Sequence, residues 1–203
     1  MYRTLTNADR ESAATLFDEM HRARAKVFHE RLGWEVRVEN GLEIDKYDDL
    51  EQVSYLMTLD ETGRSTGSLR LLPTTGDTMM RNEFAGFFRE PVDIVSPTTL
   101  ECTRFCVHPM DGSTADARTV SSDLLIGLCE TCLNNGYDSI LGLYNNHMTR
   151  VYRRIGWNPE PLAESRSERG HLVVGIWEVS NEALASMRAL AEEHARAVPR
   201  LAA

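Results

Sequence analysis

A three-layer α-β-α sandwich with a mixed central sheet is the fold that this sequence predicts. Three observations point there: a helical repeat of apolar residues opens the chain, a turn-rich strand pair follows, and beyond Val107 helical and strand-like segments alternate. The strand pair supplies antiparallel neighbours, and the later alternation supplies the crossovers that parallel pairing needs.

From Asp9 to about Arg31, Leu16, Met20, Ala23 or Arg24, Val27 and Phe28 recur at three- and four-residue spacing, which predicts a helix. Gly33 in Arg31-Leu32-Gly33-Trp34 suits its C-terminal end. Trp34 to Asp49 then reads as an irregular acidic loop. Residues 53–59 and 66–72 are strand-like and flank the turn-rich 60–64, so they should form a hairpin that ends at Pro73 to Gly76. A short helix is expected near Met79 to Phe88, then a Pro-punctuated loop, then a strand carrying Glu101 and Arg104. Next come a helix from Ala117 to Asn134, a strand from Ser139 to Tyr144 and an arginine-bearing helix from about Asn146. Residues 172–179 supply a late strand, Asn181 is placed to cap the helix after it, and the tail from Ala195 is expected to fray. No repeat or long linker divides the 203 residues, which predicts one domain over 1–203.

With 42% hydrophobic residues the chain can bury a core without covalent staples. No apolar run approaches the roughly 20 residues of a membrane span, and the N-terminal residues lack a secretory signal, so no membrane partner and a cytoplasmic location are expected. The net charge of -9 argues against general nucleic-acid binding and suits small cationic ligands. One local exception is Arg150, Arg153 and Arg154, which crowd one helical segment and could meet an acidic partner or a phosphate. Cys129 and Cys132 form C-x-x-C, the spacing of a zinc half-site. Cys132 also falls in register with Val120, Leu124, Leu125 and Leu128, and as a small buried hydrophobe it needs no metal. No metal is expected.

Charged side chains inside apolar runs are costly unless paired or used. Three such places stand out: Glu101 to Arg104 within Leu100-Glu101-Cys102-Thr103-Arg104-Phe105, Arg70 within Leu69-Arg70-Leu71, and the carboxylates of Glu43-Ile44-Asp45-Lys46-Tyr47-Asp48. One shared polar site would explain all three. Alone, the acidic loop reads as solvated, and each arginine as an edge residue laying its stem over the core. The interleaved Ile44 and Tyr47 argue for burial of the loop instead. Asp45 and Asp48, three apart, would repel unless a cation such as Arg70, Arg104 or a substrate lay between them. Strict alternation puts Glu101 and Arg104 on opposite faces of their strand, so a shared site demands a β-bulge between them.

These residues resemble the acyl-homoserine-lactone synthases, the bacterial autoinducer synthases of quorum sensing. The resemblance is carried by Arg24, Phe28, Trp34, Asp45, Asp48, Arg70, Phe84, Glu101 and Arg104 in order, with Arg150, Arg154 and Gly156-Trp157 still in pattern. It departs at Leu100, where an aromatic residue is common, and at Cys102-Thr103, where an aliphatic-serine pair is usual. The resemblance implies a fold like that of the GCN5-related N-acetyltransferases. It also implies transfer of an acyl group from acyl carrier protein, or coenzyme A, to S-adenosylmethionine, releasing a lactone and methylthioadenosine. Both small molecules are substrates, and no cofactor is implied.

On that basis Glu101 is expected to be the base that frees the α-amine, with Arg104 holding it, and Asp45, Asp48 and Arg70 completing the catalytic cluster. Arg24 is expected to pair with the substrate carboxylate, beside Phe28, Trp34, Thr103 and Phe105. Leu100, Leu141, Leu143, Tyr144 and Trp177 are expected to line the acyl pocket, and Arg150, Arg153 and Arg154 to dock the carrier protein. A coenzyme A-dependent N-acetyltransferase of the same fold is the competing reading. Against it, His108 to Ala115 does not fit that group's glycine-rich pyrophosphate loop. A non-catalytic module binding an adenosyl ligand is a third reading.

Overall fold

The structure, a computed structural model, describes residues 1–108, 116–167 and 170–197. The tail beyond Ala197 and all of the His108 to Ala115 segment except His108 lie outside these residues. Seven strands form one sheet: β1 (Tyr2–Thr6), β4 (Ser54–Leu59), β5 (Ser65–Pro73), β6 (Thr99–Val107), β7 (Ser139–Asn145), β9 (Gly170–Glu178) and β8 (Glu160–Ser167), in that order across it. Strands β2 (Val38–Glu39) and β3 (Leu42–Glu43) make a separate small hairpin inside the acidic loop. Only β6 and β7 pair in parallel, joined by α2 (Ala117–Asn134) as the crossover helix, so the sheet is mixed as expected.

Alternation along the strands divides the core into two layers. Leu56, Leu69 and Leu71 pack under α2, while Tyr55, Met57 and Leu72 pack with Leu16, Phe17 and Met20 of α1 (Ala14–Arg24) on the opposite face. The α2 layer also takes α3 (Thr149–Ile155) and α4 (Asn181–Ala197). Cys129 and Cys132 lie within it as free thiols, with Leu124, Leu125 and Leu128. Among the described residues no group of side chains could hold a metal, and no helix is long and apolar enough to cross a membrane.

Several boundaries differ from the sequence reading. The first helix continues as a π-helical turn over Ala25–Arg31, and the expected helix near Met79 is a π-helical turn, Met80–Phe84, followed by a 3-10 turn, Ala85–Phe87. Ser180, not Asn181, caps α4, because its hydroxyl accepts from the N–H of Ala183 at 3.1 Å. Residues 195–197 stay helical rather than frayed.

Gly67 lets α2 approach β5 closely. A Cβ there would lie 2.7 Å from Val120 Cγ1 and 2.9 Å from Leu124 Cδ1. Gly67→Ala is therefore expected to cost about 1–3 kcal/mol through overpacking. Urea unfolding would show a lower midpoint at unchanged slope, whereas an unchanged midpoint would mean that α2 shifts away freely.

Candidate active site

On the α1 face, three arginines and three carboxylates converge from α1, the acidic loop, β5 and β6. Arg24 is fully buried: its Nη1 and Nη2 donate to Asp48 at 2.8 and 2.9 Å, and its Nε donates to Glu43 Oε2 at 2.5 Å. Asp48 also accepts from the Tyr55 hydroxyl at 2.8 Å and from the N–H of Asp45 at 2.9 Å. Burial by itself would raise the Asp48 carboxyl, but the charge and hydrogen bonds of Arg24, then Arg70, outweigh it and hold the group well below the usual range.

Arg70 supplies the cation that two nearby aspartates require. Its Nη1 lies 2.5 Å from Asp45 and 3.0 Å from Asp48, its Nη2 donates to Asp45 at 3.0 Å, and its Nε donates to Thr103 at 3.0 Å. Asp45 and Asp48 hold their mutual geometry through a 3-10 turn over Lys46–Asp49, in which Asp45 also accepts from the N–H of Tyr47. Arg104 donates to Glu43 from Nε at 3.2 Å and from Nη2 at 2.9 Å, and Nη2 also reaches Asp45 at 2.9 Å. Its guanidinium lies over the Phe28 ring at 5.5 Å, and Phe28 stacks on Trp34 at 5.0 Å. Most of this network is sealed: the side chains of Arg24, Glu43, Asp48 and Arg70 are at most 1% exposed, against 8% for Arg104 and 19% for Asp45.

The demanded bulge exists, one step further along the strand than expected. Arg70 pairs with Thr103 but Ser68 pairs with Cys106, so β6 carries one extra residue between Thr103 and Cys106. Arg104 occupies that stretch in the left-handed region, at φ +52°. This turns its side chain onto the face that Glu101 and Thr103 share.

Glu101 and Arg104 nevertheless do not touch through an ion pair, which corrects the expected holder. The Glu101 carboxylate accepts from the N–H groups of Met79 at 2.8 Å and Met80 at 2.7 Å. Among the described residues it has no salt bridge, while the three arginines are taken up by Glu43, Asp45 and Asp48. Burial pushes its carboxyl up to about 7, only partly offset by the two N–H groups and by Arg70. Two of its four lone-pair sites remain for a proton or a water.

Other expectations also need correction. Arg24 is enclosed by its own carboxylates and has no exposed edge for a substrate carboxylate. Phe105 packs against the α2 layer, on the face opposite Arg70, because the bulge restores alternation beyond it. The five acyl-pocket residues split between faces: Leu100, Tyr144 and Trp177 lie in the α2 layer, whereas Leu141 and Leu143 pack with Met80 and Phe88 on the side of Glu101. Glu43 was missed, although it lies within the quoted acidic segment. The signal was masked because assigning Arg104 to Glu101 already balanced three arginines against three carboxylates.

Strands β6 and β7 pair only over Thr99–Cys102 and Ser139–Gly142, yet β6 continues beside β5 to Val107 and β7 beside β9 to Asn145. A V-shaped gap therefore opens one residue beyond Glu101. Arg150, Arg153 and Arg154 project exposed from α3, and none forms an ion pair among the described residues.

The family model of the autoinducer synthases matches residues 7–186. A curated acyl-homoserine-lactone synthase of Rhizobium etli is 51% identical over 189 residues, covering 93% of this chain and 89% of that protein. Among solved structures, the CoA-dependent acyl-homoserine lactone synthase BjaI, with SAM and isopentyl-CoA, superposes with a TM-score of 0.81 at 22% identity. That match covers 99% of this chain and 95% of the other. An acyl-CoA N-acyltransferase from Pseudomonas aeruginosa superposes at 0.58 and 15% identity, over 87% and 98% of the two chains. At these identities the two structures speak for the fold, which is the acyltransferase sandwich expected from the sequence.

Proposed function

The chain belongs to the autoinducer synthase family, and from that premise we propose how its residues carry out acyl-homoserine-lactone synthesis as one domain. The reaction joins an acyl group from a carrier-protein or coenzyme A thioester to the amine of S-adenosylmethionine, closes a lactone and releases methylthioadenosine. One observation carries the residue assignment. Glu101 is the carboxylate of the cluster that no arginine neutralises, and its carboxyl lies at about 7.

An α-amine with a solution pKa near 8 is mostly protonated at neutral pH and cannot attack a thioester. Glu101 takes that proton, directly or through a water, and a base poised near the working pH suits the step. The amine nitrogen then bonds to the thioester carbon and the thiolate leaves with its carrier. For the lactone, the carboxylate oxygen of the methionine part bonds to the carbon beside sulfur as the carbon–sulfur bond breaks. Sulfonium is already a good leaving group, so positioning is what the protein must supply.

Substrate binding falls to the least enclosed groups. Asp45 faces the ammonium, and Arg104, whose Nη1 meets only Met79 Sδ at 3.5 Å, faces the carboxylate. The half-exposed face of Trp34, backed by Phe28, covers the adenosyl sulfonium by cation–π attraction. The thioester enters where β6 and β7 part, with Leu141 and Leu143 on the side of Glu101.

The exposed arginines of α3 would meet an acidic carrier protein. Arg154→Ala is expected to raise KM for a carrier-protein thioester by roughly tenfold while leaving a coenzyme A thioester within about twofold. Equal weakening with both donors would refute docking by this residue. The reaction itself is tested by supplying S-adenosylmethionine with both kinds of thioester at graded chain lengths. Methylthioadenosine and lactone should appear with at least one donor, and release from none would contradict the assignment.

A further inference from the structure

We propose that Glu43 is a positioning residue for substrate recognition, holding Arg104 at the angle from which its guanidinium receives the carboxylate of S-adenosylmethionine. This deepens the reading above and rests on it. Glu43 is fully buried, and its two oxygens face two different arginines: Oε1 accepts Nε and Nη2 of Arg104, and Oε2 accepts Nε of Arg24. Its backbone carbonyl lies 2.9 Å from His21 Nδ1, which ties the end of β3 to α1. The carboxylate is thus anchored on three sides and turned toward Arg104.

Arg104 needs such an anchor. It sits on a bulge at φ +52°, a region that a non-glycine residue keeps only when its surroundings over-determine it. Its other carboxylate partner, Asp45, is the most exposed acid of the cluster and shares the same Nη2. An incoming amino-acid zwitterion would insert into that contact, its ammonium taking Asp45 and its carboxylate taking Arg104. At that moment Asp45 no longer restrains Arg104. Glu43, sealed between two guanidiniums, cannot exchange and keeps the arginine in place.

The test uses two probes that differ by the amino-acid part. S-adenosylhomocysteine carries the ammonium and carboxylate, whereas 5′-methylthioadenosine keeps the adenosyl thioether alone. Glu43→Gln and Glu43→Asp are compared with the wild-type enzyme by calorimetric titration. Both variants are expected to bind S-adenosylhomocysteine about tenfold or more weakly and methylthioadenosine within about twofold, with KM for S-adenosylmethionine rising more than kcat falls. Glu43→Asp retains the charge, so it carries the comparison if Glu43→Gln does not fold. In an Arg104→Ala background, Glu43→Asp should weaken S-adenosylhomocysteine no further. Equal weakening of both probes, or unchanged S-adenosylhomocysteine binding, would overturn the proposal while leaving the synthase reading intact. A wild-type enzyme that binds neither probe and releases no methylthioadenosine would overturn both.

Discussion

Glu101→Gln is expected to lower kcat by about 10²- to 10⁴-fold, the usual contribution of a positioned general base. The amide keeps the shape of the side chain and one acceptor for the N–H groups of Met79 and Met80, but it cannot take a proton. In the wild type, kcat/KM should climb with pH through about 7, because the working form of the base is the ionised one. Stability should move the other way. A carboxyl raised above its unfolded value binds protons more readily in the folded state, so between about 4.5 and about 7 the fold loses stability as pH rises. The shift corresponds to at most about 3 kcal/mol. The glutamine variant lacks this titration, so its stability relative to wild type should improve between pH 5 and pH 8, at the limits of roughly that window. Urea unfolding at both pH values checks this, and a parallel pH dependence of the two proteins would show that Glu101 is already ionised in the acidic range.

Asp48→Ala is expected to cost about 3–5 kcal/mol, the scale of removing one partner from a buried ion pair. Arg24 would lose the partner of both terminal nitrogens, and the Tyr55 hydroxyl and the N–H of Asp45 would lose an acceptor in a water-free interior. Its lowered carboxyl pKa has the same sign: the stabilisation is fully present above the unfolded value near 4 and is lost only as pH falls through the folded one. Asp45→Ala offers the contrast, because Asp45 is partly exposed and its removal leaves Arg70 still beside Asp48. It should unfold less readily than Asp48→Ala while losing more of its affinity for S-adenosylmethionine. A loss under about 1 kcal/mol for Asp48→Ala would mean that the arginines are held without it.

Wherever apolar periodicity was strong, sequence and structure agree closely. The helix Ala117 to Asn134 matches α2 residue for residue, and the hairpin of β4 and β5 follows from its turn-rich link. The strands that escaped notice, β1 and β8, are the two edges of the sheet. With one face solvated and Pro161 inside β8, they carry too few buried residues to announce a period of two. The polar cluster was legible as a set, because charges inside apolar runs demand partners. Which acid meets which arginine was not, since that depends on how the loop 34–49 folds back and on a bulge whose place shifts by one residue. Parity did reveal that a bulge was needed. It could not show that Glu101 would be left to backbone N–H groups, the circumstance that sets it apart from the other carboxylates.

That separation is measured most directly by titrating Glu101 itself. In enzyme labelled with ¹³C at the glutamate carboxyls, the signal that vanishes in Glu101→Gln belongs to this residue. Its midpoint is expected at about 7, coinciding with the acidic limb of kcat/KM. A midpoint near the ordinary glutamate value of about 4.3, with the limb still in place, would contradict Glu101 as the base.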